Sequence, residues 1–482
     1  MKLQFLVAAL RRQDLIASAP SAEVEIERVD VDSRTVTPGA LFMALRGSVV
    51  DGHSFIPQAL ANGASALVAE QPVDASVPAV IVRDGRRAAQ VIAETWYDRP
   101  ARKMQLVGIT GTNGKTTTTA MVRHLLNRDG DAGSIGTLGA FDAAGERVES
   151  SAGSLTTPGP LDLQATFRAL FDRGVRHVAM ETSSHALDQG RLEGLTFAAG
   201  IFTNLTREHL DYHLTMEQYL AAKLRLAELV ASDGVLSVNA DDPAWQALRR
   251  DRRTLAWGLA PDADVSVADP VYRSAGTRFT LGGRFGTRDV SIPFLGEFTV
   301  ANAVGAATVA LGSGEPIDDV VERLATAPQV PGRLERLADT PFTVLRDYAH
   351  TPDAYERVFS MLRPLVPGRL FILFGCGGER DKGKRPIMGR IAAEHADRVV
   401  VTSDNPRRED PEQIINDIVA AMPAGSYDRI LDREEAIAHA LQMARPGDMV
   451  LLVGKGHETY QVEGTTYRHF DERDIVTSLL PS

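Results

Sequence analysis

The chain has 482 residues, and at roughly 150 residues per domain that length asks for about three domains rather than one core. Hydrophobic residues make up 44% and charged residues 24%, and 41 glycines with 25 prolines come to about 14%, so the composition is that of an ordered globular chain. A formal net charge of −11 excludes a general basic surface for nucleic acid or anionic lipid, and the single cysteine, Cys376, cannot close an intrachain disulfide, which fits a reducing compartment.

Residues 1–10 carry one positive charge and a short apolar run, but Arg11-Arg12-Gln13-Asp14 follows at once without a small-residue cleavage site. They read as a first amphipathic element. No run reaches the roughly 18–20 apolar residues of a bilayer span, so a soluble, cytoplasmic protein is expected. Short strands at 41–45, 66–69 and 79–82 and a helix over 86–97 occupy the first block. Asp98-Arg99-Pro100 ends it, because proline disfavours helix in the residue before it. A strand at 104–110 opens the second block, and Ala327-Pro328-Gln329-Val330-Pro331-Gly332 reads as a second linker. Beyond it, apolar strands at 370–374, 398–402 and 449–453 alternate with helical stretches, the pattern of a parallel sheet flanked by helices. The expected architecture is α/β in three domains, 1–100, 101–330 and 331–482.

The segment Gly111-Thr112-Asn113-Gly114-Lys115-Thr116-Thr117 follows a strand and precedes a helix expected over 118–127. Glycines let the backbone N–H groups and the helix N-terminus face an anion. Lys115 can reach terminal phosphates and Thr116 can ligate Mg²⁺, although the first glycine of the general P-loop pattern would fall at Ile109. ATP or GTP binding is the expectation. A further strand, Val175 to Met180, ends at Glu181, an acid able to hold Mg²⁺ opposite Thr116. Residues 203–213 pack His209, His213 and the acids Glu208 and Asp211 into one short segment.

Together the phosphate loop, Glu181-Thr-Ser-Ser-His185, Arg207-Glu-His-Leu-Asp-Tyr-His213 and Asp347-Tyr-Ala-His-Thr-Pro-Asp353 resemble the Mur ligases of peptidoglycan synthesis over essentially the whole chain. The match is nearest to the members that add the third peptide residue. The resemblance implies a smaller α/β uridine-nucleotide domain, a central P-loop ATPase domain with a mostly parallel sheet, and a Rossmann-like C-terminal domain for the incoming amino acid. It implies ATP and Mg²⁺, an acyl phosphate formed on UDP-N-acetylmuramoyl-L-alanyl-D-glutamate, and attack by the amine of meso-2,6-diaminopimelate. A monomer with small-molecule partners, and neither nucleic acid nor membrane, is expected.

The same resemblance distributes roles among residues. Lys115, Glu181, His209 and Lys223 form the catalytic set, and Thr116, Glu181, His209 and Lys223 the metal set. Lys223, in Tyr219-Leu-Ala-Ala-Lys223, matches the lysine carbamylated in this family, and a carbamate suits a hard cation where an ammonium would repel it. ATP contacts fall on 111–117, Asn302, Arg333 and Asp347. The UDP-muramoyl-dipeptide contacts fall on Val31, Ser33, Ser48, Val49, Val50, Thr156, Thr157, Ser183, Gln189 and Arg191. Diaminopimelate contacts fall on Arg380, Asp404, Asn405, Pro406, Arg407, Gly454 and Glu458. Diaminopimelate differs from lysine by a second carboxylate, which a guanidinium such as Arg407 can pair bidentately, while Asp404 and Glu458 can meet its distal ammonium. The chain departs from the family pattern at Glu208, where aspartate is usual, and at Leu155, where asparagine is common. A lysine-adding Mur ligase, a folylpolyglutamate synthetase and an ATP-hydrolysing switch that ligates nothing are the alternatives; Arg407 and the Asp404 to Arg407 run disfavour the first two.

Overall fold

A computed structural model describes residues 1–47, 50–149, 155–260, 262–339 and 341–480. Contacts divide the chain into two compact units: residues 1–267 with 282–287 and 301–320, and residues 268–281 with 288–300 and 321–482. The first unit takes in residues of the first two expected blocks, while 268–281, 288–300 and 321–330 of the second block group with the third.

The first unit holds two sheets. In the N-terminal sheet the strands Arg28–Asp30, Ala40–Met43, Ala66–Ala69 and Ala79–Val82 run parallel, and Ile16–Ser18 pairs antiparallel at the edge beyond Ala79–Val82. Successive residues of a strand point to opposite faces. Leu41 and Met43 accordingly join a core with Leu3, Leu6 and Leu10 of the helix Leu3–Arg12 and Ala88, Ala89 and Ile92 of the helix Gly85–Trp96. Ala40 and Phe42 join the opposite core, with Ile56 and Ala59. The first apolar run is thus an amphipathic helix, as expected.

In the larger sheet the strand Gln105–Thr110 lies between His177–Glu181 and Phe197–Phe202, all parallel. Register aligns Ile109 with both Glu181 and Ile201, so the chain leaves all three strands at one edge. Ala132–Gly136 extends the sheet on one side and Val230–Asn239 and Thr254–Gly258 on the other. Leu106, Val178, Met180 and Phe202 pack against Leu163 and Phe167 of the helix Pro160–Asp172 and Leu226 of the helix Met216–Leu229. Complete burial of each such side chain contributes about 1.5–3 kcal/mol.

In the second unit five parallel strands are ordered Thr343–Asp347, Met449–Val453, Leu370–Phe374, Arg398–Val401 and Tyr427–Arg429, with Glu335–Ala338 antiparallel outside the first. Leu370, Ile372 and Phe374 face the helices Pro352–Leu362, Lys384–His395 and Pro411–Val419, while Phe371 and Leu373 face Arg433–Met443 and Glu472–Leu479. Both faces are covered, which is why these strands read as unbroken apolar runs. The α/β class with mostly parallel sheets stands as expected.

Candidate active site

Ligands of open α/β sheets bind at the carboxyl ends of the strands. In the first unit that edge carries Gly111–Thr117, Glu181–Ser183 and Thr203–Thr206. The helix after the phosphate loop, Lys115–Leu126, starts one residue past Gly114, three residues before the expected start. Gly114 has φ +85° and Gly111 φ +147°, and a Cβ at these positions would collide with Asn302 Oδ1 and Thr203 Oγ1. Both positions require glycine. Asn302, from the helix Glu297–Gly312, is buried against the loop, so the structure brings it to the expected ATP residues.

The following strand end fixes the loop. Thr112 N–H donates to the Asn204 carbonyl at 2.7 Å, Asn113 N–H to Asn204 Oδ1 at 2.9 Å, and Thr203 Oγ1 to the Asn113 carbonyl at 2.7 Å. Lys115 Nζ donates to the carbonyls of Gly111 and Thr112 at 3.0 and 2.8 Å. Lys223 Nζ donates to the same Gly111 carbonyl at 2.7 Å and lies 4.4 Å from the Tyr219 ring centre. Lys223 is 1% exposed; that burial, with Lys115 nearby, holds its ammonium well below the usual lysine range.

Glu181 is buried, with Oε1 accepting from Thr137 N–H at 2.8 Å and Oε2 from Thr137 Oγ1 at 3.1 Å. Thr156 Oγ1 lies 3.1 Å from Thr137 Oγ1, and Thr157 Oγ1 donates to the Glu181 carbonyl at 2.9 Å and accepts from Ser183 N–H at 3.0 Å. Arg191 donates to the Thr157 carbonyl at 2.9 Å and to Gln189 Oε1 at 2.6 Å, and Gln189 donates to Tyr212 at 3.2 Å. Thr156, Thr157, Ser183, Gln189 and Arg191 thus form one hydrogen-bonded group around Glu181.

His209 has φ +56° and faces His185 at 4.9 Å between ring centres. Desolvation, reinforced by His185, Lys115 and Lys223, pushes its pKa down to about 4, so the imidazole is neutral at pH 7 and free to ligate. Among the described residues no three His, Cys, Asp or Glu side chains cluster as metal ligands.

Val31 and Ser33 follow one strand and the loop containing exposed Val50 follows its parallel neighbour, while Ser33 is buried and donates to Gln58 at 2.8 Å. Ser48 and Val49 lie outside the described residues.

In the second unit Asp347, Val453, Phe374 and Val401 are in register across four strands, so every expected ligand segment leaves the same edge. Buried Asp347 accepts from Leu334 N–H and Ala349 N–H, both at 2.8 Å; burial raises its pKa against the pull of Arg333. Arg333 stacks on Tyr348 at 4.9 Å. Arg407, at φ +53°, donates to the Gly378 carbonyl at 2.7 Å, and a Cβ at Gly377 would sit 3.1 Å from its guanidinium and 3.7 Å from Arg380 Cγ. Pro406 is buried, with its carbonyl against Gly378. Asn405 donates to Glu458 Oε2 at 2.8 Å, and Gly454, at φ +111°, leaves room for Asp404 Oδ2. Burial and Asp404 raise the Glu458 pKa. Cys376 is buried and its thiol is pushed up to about 12, consistent with no chemical role.

Sequence reasoning missed Thr137, Asn204, Tyr219, Tyr348 and Lys455. Only Tyr219 carried a signal, its spacing of four residues from Lys223, one helical turn.

A loop built for phosphate on one doubly covered sheet and a second ligand-bearing sheet edge define the phosphate-loop α/β class. Within it, residues 109–310 match the Mur ligase middle domain, 332–456 the Mur ligase glutamate ligase domain, and 25–97 the Mur ligase family catalytic domain. The chain is 42% identical over 463 residues to the UDP-N-acetylmuramoyl-L-alanyl-D-glutamate–2,6-diaminopimelate ligase of Geobacillus kaustophilus, covering 94% of each, and 42% identical over 490 residues to that of Synechococcus elongatus, covering 98% of each. A solved structure of a ligase with that name superposes with a TM-score of 0.68 at 32% identity, covering 95% of each chain. This chain belongs to the Mur ligase family.

Proposed function

We propose that this protein is a cytoplasmic, monomeric ATP-dependent ligase that joins meso-2,6-diaminopimelate to UDP-N-acetylmuramoyl-L-alanyl-D-glutamate. One observation carries the choice of amino acid: the Arg407 guanidinium and the stem of Arg380 flank Gly377 on the sheet edge that also carries the acids Asp404 and Glu458. That edge offers cations for the carboxylate that lysine lacks and acids for the distal ammonium. The similarity of name among full-length relatives supports the same reading.

The substrate's terminal carboxylate takes the γ-phosphoryl group of ATP, and the amine of the amino acid then attacks the acyl carbon, expelling phosphate and losing a proton. Lys115 and the backbone of 111–117 would clamp the transferring charge. Arg191 and the threonine pair would hold the muramoyl peptide, Val31, Ser33 and residues 48–50 the uridine, and Asn302, Arg333 and Asp347 the nucleotide. Thr116, Glu181, His209 and Lys223 would hold Mg²⁺, which supplies neutralisation of phosphoryl charge when bound. Hydroxyl, carboxylate and neutral imidazole fit a hard cation; an ammonium at Lys223 does not. Its depressed pKa favours the free amine that adds to CO₂, and we assign Lys223 as a carbamate.

Purified protein with ATP, Mg²⁺ and UDP-muramoyl-dipeptide is expected to release phosphate with meso-diaminopimelate and far less with L-lysine. Equal release with both, or release indifferent to either, overturns the assignment.

A further inference from the structure

The second unit contains a lysine that no part of the proposed reaction uses. Lys455 is fully buried, and its Nζ donates to Asn405 Oδ1 at 3.2 Å and lies 3.6 Å from Glu458 Oε2. The Tyr460 and Phe470 ring centres lie 5.8 and 5.7 Å from it. Burying an ammonium is costly unless it is paired and hydrogen-bonded, so a lysine held this way has a partner that needs it.

That partner is the Asn405 amide. Its Oδ1 accepts from Lys455 and from Val462 N–H at 3.0 Å, which leaves the NH₂ group to donate to Glu458 Oε2 at 2.8 Å. With both donors fixed on Oδ1, the amide has one orientation. The strand ends around it are tied by Arg433, fully buried against Glu472, which donates to the Val453 carbonyl at 3.1 Å. Arg433 and Lys455 are thus the buried cations beside Asp404, Glu458 and Glu472.

We propose that Lys455 is a positioning residue of the amino-acid site: it helps hold the Asn405 amide so that Glu458 is presented to the incoming ammonium. The proposal rests on the reading of this edge as the amino-acid site. Without Lys455 the Asn405 Oδ1 keeps only the Val462 N–H, and Glu458 loses the ammonium 3.6 Å away.

A double-mutant cycle of Lys455→Met and Glu458→Gln tests it, with KM for the amino acid and kcat measured separately. Lys455→Met is expected to raise that KM by about 10- to 100-fold with a smaller change in kcat, the range a lost charged hydrogen bond supports. In the Glu458→Gln background the same change should add less than about twofold, because Lys455 acts through Glu458. Should Lys455→Met fail to melt cooperatively, Lys455→Arg carries the cycle, with a KM rise of several-fold that again vanishes in the Glu458→Gln background. An equal KM rise in both backgrounds, or a fall in kcat with KM unmoved, overturns the proposal. Wild-type protein is first assayed with meso-diaminopimelate and L-lysine. A preference for lysine would overturn the diaminopimelate reading alone, and the cycle run with lysine would still test Lys455.

Discussion

Each unit buries one lysine at its ligand edge, and the two are held in opposite ways. Lys223 meets a carbonyl oxygen and a tyrosine ring and shares that carbonyl with a second ammonium, Lys115. Lys455 meets an amide oxygen and a carboxylate, with Asp404 and Glu472 also favouring its charge. Desolvation lowers both pKa values, yet only the first site adds a repelling neighbour as its next cause. The difference teaches what each lysine is suited to. An amine buried beside a carbonyl and a second lysine is suited to modification, whereas one hydrogen-bonded to an amide and facing a carboxylate is suited to orienting them.

The largest expected effect breaks the first half of this comparison. Lys223→Ala should lower kcat by about 10²–10³, the scale for removing one group that stabilises transferring charge. Acetate or formate should restore part of the rate, and ¹³C-bicarbonate should give wild-type protein a carbamate resonance that the variant lacks. Full activity without a response to carboxylates would remove Lys223 from the site.

A smaller effect tests the loop on which Lys115 and Lys223 converge. Gly111→Ala forces a Cβ against Thr203 Oγ1 at φ +147°. Urea denaturation should show a loss of about 2–4 kcal/mol, combining strain with overpacking. A change under about 0.5 kcal/mol would mean the loop relaxes freely.

The smallest is a pH effect on the neighbouring imidazole. His209 titrates near 4 when folded against an ordinary 6.5, so the unfolded chain takes up the proton first. Its contribution is intact above about pH 6.5 and is lost as pH falls from there toward 4. NMR titration should find this ring neutral down to about pH 5, and His209→Asn should flatten the acid limb of stability. Titration near 6.5 would contradict the burial of this ring.

Much of this was legible from residues alone where one local signal sufficed. Strands 66–69, 79–82, 370–374 and 449–453 were read to the residue, because sheets covered on both faces demand unbroken apolar runs. The helix after the phosphate loop was read late, since four threonines obscure a start that Gly114 sets in the left-handed conformation. The hairpin Tyr460–Glu463 with Thr466–His469 was not read, its residues being mostly polar and exposed. Among site residues the motifs gave the charged groups but not their anchors. Thr137 and Asn204 act through pairings far away in sequence, and Lys455 is a residue type that is almost always solvated. The grouping of 268–281 and 288–300 with the second unit likewise depends on distant contacts that no local pattern encodes.

The central claim is that the second sheet edge selects an amino acid bearing a second carboxylate, and direct competition tests it. With ATP, Mg²⁺, UDP-muramoyl-dipeptide and equimolar meso-diaminopimelate and L-lysine, mass spectrometry of the products should find the diaminopimelate adduct in excess by about 100-fold or more. A predominant lysine adduct, or phosphate release with no adduct, would contradict it.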